Sequence, residues 1–289
     1  MCRLFGFRSV ISSQVHRSLM EADNAILHQS NVHSDGWGVA YYVAGAPHLI
    51  KSTSAAVECS LFQKVSGIVA SETVLAHIRK ATQGEHCITN THPFQYGQWV
   101  FVHNGNIKNF GDVRDELIQL ISPKMSRFIL GNTDSEVLFF LLLTQLARRV
   151  DLHRKGCSLD DIARAVRETM DLVTSKVGPI HEDPNGPNTE TYLTFILTNG
   201  STMIAHQGGK SLYYTTYKTR CAERDTCPCF APECESPTRS GYVNHLVFSS
   251  EKISGENVWT DMAPGELIGV DWTMRLKRFQ PRQKEVLTV

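Results

Sequence analysis

The order of periodic segments constrains this chain more than any other feature. Stretches rich in β-branched and aromatic residues, which read as strands, fill the first hundred residues: 3–10, "SDGWGVAYYV" from 34, "TVLAHIR" at 73–79 and "QWVFVH" at 98–103. Three helical patterns follow. Strand-like segments then return as "TYLTFILTN", "TMIAHQ", "LYYTTY", "NHLVFSS", "ELIGVD" and "MRLKRFQ". Strands, helices and strands in blocks, without βαβ alternation, predict an α+β layered domain whose sheets draw on both ends of the sequence. No internal repeat is present, and the Pro/Gly loop at 178–188 joins halves that would each make a poor domain. One domain over 1–289 is expected, with a cysteine-rich loop inserted at about 219–240.

The helical segments differ in what they ask of their surroundings. Val113, Leu117, Leu120 and Ile121 form one stripe on a helix over 110–121. Residues 134–148, containing "VLFFLLL", are apolar nearly all round and must be packed on several sides. A third helix, 159–174, carries Ile162, Val166, Met170 and Val173 on one side, with Ser158 and Asp161 placed at its N-terminal cap. A shorter pattern, Leu19, Ala22 and Ile26, suits a helix over 15–27.

Composition excludes several classes of function. The 29 basic and 29 acidic residues balance, and no basic run could neutralise a phosphate backbone, so nucleic acid is not an expected partner. The longest apolar run falls short of the ~20 residues needed to cross a bilayer, and no secretory signal pattern opens the sequence, so a cytoplasmic protein without a membrane partner is expected. Eight cysteines are too sparse for a disulfide scaffold. Four of them, Cys221, Cys227, Cys229 and Cys234, crowd into "CAERDTCPCFAPEC". Their spacing lacks paired C-x2-C knuckles; four nearby thiols can bind zinc, but a cysteine-rich surface loop is the simpler reading.

Candidate chemistry gathers in short stretches. Cys2 in "MCRLFGF" either starts an apolar strand or, once Met1 is removed, becomes a nucleophile with its own base. A free α-amine has a pKa near ~7.7–8.0 and can take the thiol proton directly or through water. In "HNG" at 103–105, Asn104 and Gly105 could donate to an oxyanion, or form an Asn-Gly hairpin turn. Arg79 shares a strand face with Leu75 and His77, and is either a structural ion-pair partner or a planar fork for a substrate carboxylate. In "NTDSE", Thr133 and Glu136 form a capping box, and Asp134 either favours the positive helix end or holds a substrate ammonium. An arginine for a carboxylate and an aspartate for an amine would together select an α-amino acid head.

Taken in order, "MCRLFGF", "SDGWGVAYY", "HIRKATQGE", "NTHPF", "VHNGNI" and "TDSE" resemble the class II, N-terminal-nucleophile glutamine amidotransferases, and "HLVFSSEKI" and "WTDMAPGELIGV" match their single-domain branch. The resemblance implies a four-layer αββα sandwich and hydrolysis of a γ-glutamyl amide through a thioester, without cofactor or metal. Carried over by position, it implies Cys2 as nucleophile, Asn104 and Gly105 as the oxyanion hole, Arg79 as ligand of the α-carboxylate and Asp134 of the α-ammonium. Thr82 and His103 join them as candidate substrate contacts, although a strand histidine, like His77 and His92, more often gives hydrogen-bonded support. Asp35 and Trp37 are read as shaping the loop beside the nucleophile.

Lys80 and Gln83 depart from the pattern of synthase-fused members, no synthase domain is appended, and the cysteine-rich loop is additional. The single-domain branch is similar to the amidotransferase-like subunit of a glutathione-degrading peptidase complex and to a γ-glutamyl hydrolase of ergothioneine synthesis. The implied substrate is therefore a small γ-glutamyl compound, glutamine or glutathione included. A partner peptidase or synthase subunit and a homo-oligomer are compatible with it. Two alternatives are carried: a glutaminase subunit delivering ammonia to a separate synthase, and a non-catalytic subunit whose thiol cluster is a metal or redox switch.

Overall fold

The computed structural model describes residues 2–14, 19, 22, 35–80 and 84–281. Its strands are β1 (Arg3–Gln14), β2 (Trp37–Val43), β3 (Ala46–Ser52), β4 (Ala70–Ile78), β5 (Phe94–Tyr96), β6 (Trp99–Asn106), β7 (Tyr192–Thr198), β8 (Met203–His206), β9 (Tyr213–Thr215), β10 (His245–Ser249), β11 (Thr260–Asp261), β12 (Leu267–Val270) and β13 (Leu276–Phe279). The helices are α1 (Ser60–Ile68), α2 (Phe110–Gln119), the single turn α3 (Pro123–Ser126), α4 (Asp134–Leu146) and α5 (Leu159–Val177).

Two antiparallel sheets form, in the orders β11-β9-β10-β1-β4-β2-β3 and β13-β12-β8-β7-β6-β5. Both mix strands from the two ends of the sequence. The two-residue period of the strands decides what each face meets. Leu4, Ala40 and Leu75 of the first sheet meet Val100, Val102, Ile196 and Ile268 of the second in an apolar interlayer. The opposite face of the first sheet, with Phe5, Trp37, Val39, Val74 and Ala76, packs on Phe62 and Val65 of α1. The opposite face of the second, with Phe101, Phe195 and Leu197, packs on α4 and α5. The result is an αββα sandwich.

Every residue of α4 is buried, as its all-round apolar sequence requires. Each fully buried Leu or Phe there contributes about 2 kcal/mol relative to exposure. Several boundaries differ from expectation. The helix read as 134–148 stops at Leu146, that read as 159–174 runs on to Val177, and the first strand continues to Gln14. Ser158 stands at the N-cap of α5 without a side-chain capping bond, and Asp161 faces Arg164 at 3.8 Å instead. The strands "LYYTTY" and "MRLKRFQ" shorten to Tyr213–Thr215 and Leu276–Phe279. The helix over 15–27 lies outside the described residues, apart from isolated positions. Among the described residues no helix is long and apolar enough to cross a membrane.

The loop at 219–240 carries only a short 3-10 turn at Pro232–Cys234. All eight cysteines are free thiols. Among the described residues no three metal-ligating side chains are grouped to hold an ion. Cys234 Sγ accepts from Asn244 Nδ2 at 3.1 Å, and the Cys221 amide donates to Glu235 Oε1 at 2.7 Å.

Candidate active site

Strand register assembles the site. Arg3 of β1 lies opposite Ile78 of β4, so the antiparallel ladder sets Cys2 beside the Arg79–Lys80 segment. The Cys2 thiol contacts the Lys80 carbonyl at 3.3 Å and accepts from the Lys80 N–H at 3.3 Å. Lys80, a departure from the family pattern in its side chain, thus contributes through its backbone. The Arg79 backbone is clamped on the other side, its N–H donating to Gly36 O at 2.8 Å and its carbonyl accepting from Asp35 N at 3.2 Å. The "SDGWG" stretch therefore shapes this loop, with Trp37 fully buried against Phe62.

Asn104 and Gly105 do not form a hairpin turn. They lie within β6, which pairs with β7 up to Asn106 opposite Tyr192. Leu193, opposite Gly105, sends its N–H to Gly208 O at 2.7 Å, and its carbonyl bonds His206 Nδ1 at 2.9 Å. In an antiparallel ladder this marks the pair as non-hydrogen-bonded, so the Gly105 N–H points away from β7. Two residues earlier, the His103 carbonyl faces the same way and bonds His77 Nε2 at 3.2 Å. Cys2, Lys80, Asn104 and Gly105 line one narrow cavity together with Asn188, Tyr192 and Lys210.

Gly105 has a second constraint. A Cβ there would overlap the Tyr192 carbonyl oxygen and His103 Nε2. Gly105→Ala is expected to destabilise the fold by about 3 kcal/mol and to abolish activity. Calorimetry beside an amidase assay checks this, and an alanine variant with unchanged melting and turnover would refute the close packing.

The charged head-group candidates are both buried, Arg79 at 3% and Asp134 at 2% exposure. Asp134 opens α4, and its carboxylate accepts from Ile107 N and Ser135 N, both at 2.8 Å. The cap of α4 is half the expected box. Thr133 Oγ1 accepts from Glu136 N at 3.3 Å, but the Glu136 carboxylate turns to the Leu130 and Gly131 amides at 3.0 and 2.7 Å. That anchors the 130–132 loop against the helix start and fixes the direction in which Asp134 leaves the helix.

His103 is a support. Its Nε2 bonds the Tyr192 carbonyl at 3.1 Å, which can only accept, so Nε2 carries the proton. Nδ1 then accepts from Ser135 Oγ at 2.9 Å, next to Asp134. Burial holds its pKa below the usual histidine range, Asp134 opposing, which keeps this ring neutral. His77 stacks on His92 with ring centroids 4.1 Å apart, and burial pushes His92 well down, His77 and His103 adding to it. His77, His92 and His103 are all buried beside one another. Thr82 and Gln83 lie outside the described residues.

Burial raises the Cys2 thiol pKa, and Asp134 adds to the rise. The bond from Lys80 N–H, the positive chain terminus and Arg79 pull the other way. Cys2, Arg79 and Asp134 therefore share one electrostatic site, in which the thiol is held protonated and needs a base to become a nucleophile. Lys210, Tyr192 and Asn188 were not singled out from sequence. Lys210 and Asn188 sit in "QGGKS" and the 178–191 loop, which carry no periodicity or motif that ties them to Cys2, and Tyr192 opens β7, whose strand pattern points to packing alone.

The model of the class II glutamine amidotransferases matches residues 1–275. Two relatives with provisional glutamine amidotransferase names are similar to this chain. One, from Haemophilus influenzae, is 33% identical over 211 residues, covering 71% of this chain and 63% of its own length. The other, DUG3 of Saccharomyces cerevisiae, is 28% identical over 239 residues, covering 76% and 65%. The chain thus spans under two thirds of the length of either. A solved glutamine aminotransferase class-II domain protein from Silicibacter pomeroyi superposes with a TM-score of 0.60 at 20% identity, covering 98% of this chain and all of its own. Glutamine phosphoribosylpyrophosphate amidotransferase of B. subtilis superposes at 0.57 with 16% identity, over 96% of this chain and 49% of its own.

Proposed function

Because this chain belongs to the class II glutamine amidotransferases, we propose that it hydrolyses the γ-glutamyl amide bond of glutamine or a γ-glutamyl compound, with Cys2 as nucleophile. One observation carries the reading: the Cys2 thiol shares a cavity with Asn104 and Gly105 and lies within the fields of buried Arg79 and Asp134.

The chemistry follows from those positions. Removal of Met1 frees the Cys2 α-amine, which takes the thiol proton that burial retains. The sulfur attacks the γ-carbonyl carbon, and the resulting oxyanion is met by the Asn104 side-chain amide and the outward Gly105 N–H. Collapse breaks the C–N bond, the amine leaves with the proton, and a γ-glutamyl thioester remains. Water, deprotonated by the same α-amine, hydrolyses it to glutamate and free thiol. Arg79 and Asp134 hold the glutamyl carboxylate and ammonium throughout, so binding energy is spent on placing the carbonyl. Nothing in this sequence of steps calls for a metal. Eight free thiols suit the reducing cytoplasm in which we place the protein.

An uncleavable residue added before Cys2 turns the amine into an amide and is expected to remove activity with the fold unchanged. Intact mass establishes the state of the terminus, and glutamate release from glutamine and from glutathione reads the reaction. Full activity with the extension in place would sink the proposal. A rate from glutamine that rises only with an added synthase would favour the ammonia-delivering alternative.

A further inference from the structure

Past Cys2 and Gly105 the cavity reaches a lysine that the steps above leave unused. Lys210 is 2% exposed. Its Nζ donates to the Pro184 carbonyl at 2.9 Å and lies 3.4 Å from the centroid of the Tyr192 ring. An ammonium has three donors and is costly to bury without a counter-charge. Among the described residues no carboxylate forms an ion pair with it, and exposed Asp183 supports the charge only from a distance.

The backbone around Lys210 is built to hold it there. Its N–H donates to Thr194 Oγ1 at 3.0 Å, and the same hydroxyl donates to its carbonyl at 3.0 Å. Gly209 before it has φ +95, and a Cβ there would overlap the His181 carbonyl, so this turn presses onto the 181–192 loop as only glycine allows. A rigidly placed, desolvated cation facing a reaction cavity is a preorganised anion site. Neither Arg79 nor Asp134 lines that cavity, so the cation belongs to a different part of the substrate from the glutamyl head.

We propose that Lys210 binds a carboxylate on the amine fragment leaving Cys2, so that the preferred substrates are γ-glutamyl amino acids or short γ-glutamyl peptides rather than glutamine. This rests on Cys2 being the nucleophile of a γ-glutamyl hydrolase. It adds a second point of recognition on the leaving side, where ammonia from glutamine has nothing to offer.

The test compares γ-glutamylglycine with γ-glutamylglycinamide, which differ only in the distal charge. Wild type is expected to favour the acid in kcat/KM by about 10- to 100-fold, the range of a charged hydrogen bond. Lys210→Met, similar in shape, should bring that ratio to about one, and Lys210→Gln gives the same comparison if the methionine variant fails to fold. A purely structural defect would lower both substrates alike and keep the ratio. Lys80→Met, on the exposed cation of the cavity, should keep it too. A wild-type ratio near one, a ratio surviving both Lys210 variants, or a collapse produced by Lys80→Met would overturn the assignment while leaving the hydrolase reading intact. Unchanged turnover of both substrates by Cys2→Ala would instead bring down the hydrolase reading, and this inference with it.

Discussion

Cys2→Ala is expected to lower glutamate release by about four orders of magnitude or more, because among the described residues no other thiol lines the cavity in which the proposed thioester forms. The fold should survive. The thiol makes two 3.3 Å contacts with the Lys80 backbone, and losing such contacts costs about 1 kcal/mol. Circular dichroism and the melting temperature should therefore stay close to wild type while turnover disappears. That separation is the informative part, since an unfolded variant would also be inactive. A well-folded Cys2→Ala protein with appreciable turnover would mean that the reaction uses another nucleophile.

The second large effect is at Arg79. Replacement by lysine keeps the charge but loses the planar fork, and with it one of the two parallel bonds we propose to the substrate carboxylate. Charged hydrogen bonds contribute about 1.5–3 kcal/mol each, so kcat/KM should fall roughly 10- to 100-fold, mostly through KM. Arg79→Met goes further, leaving an uncompensated substrate carboxylate in a buried site, and a loss near 1,000-fold is expected. Steady-state kinetics with glutamine reads both. Should Arg79→Lys keep wild-type kcat/KM, the guanidinium is a structural group and the head-group assignment fails.

What the sequence could and could not reveal follows from the range of the interactions. β4 and β6 were legible because alternate residues face different layers: Leu75 enters the interlayer while Val74 and Ala76 meet α1. The all-round apolar α4 was legible for a similar reason, since only a helix enclosed on every side tolerates it. Asn104-Gly105 could be read two ways, because the dipeptide's turn preference is local while its place in β6 is set by pairing with Leu193 and Thr194 far along the chain. The missed α1 is short, with Phe62 and Val65 as its buried apolar anchors among the described residues, and a glycine at position 67 weakens the pattern. The missed β3 owes its pairing to the left-handed Ala44-Gly45 turn. Lys210 was invisible for a different reason. Its importance comes from a loop contact across the cavity, and neither "QGGKS" nor the 178–191 segment carries a period.

The central place of β1, between β4 and β10, has a consequence for biosynthesis. The strand that follows Cys2 is made well before one of its two partners, His245–Ser249, which lies more than two hundred residues further along the chain. Until that segment leaves the ribosome, half the ladder that fixes this strand has no partner, and long-range pairings of this kind form slowly. A nascent chain that has not yet reached His245–Ser249 thus carries Cys2 on an unfinished sheet, and the ladder beside it closes only once that strand is made.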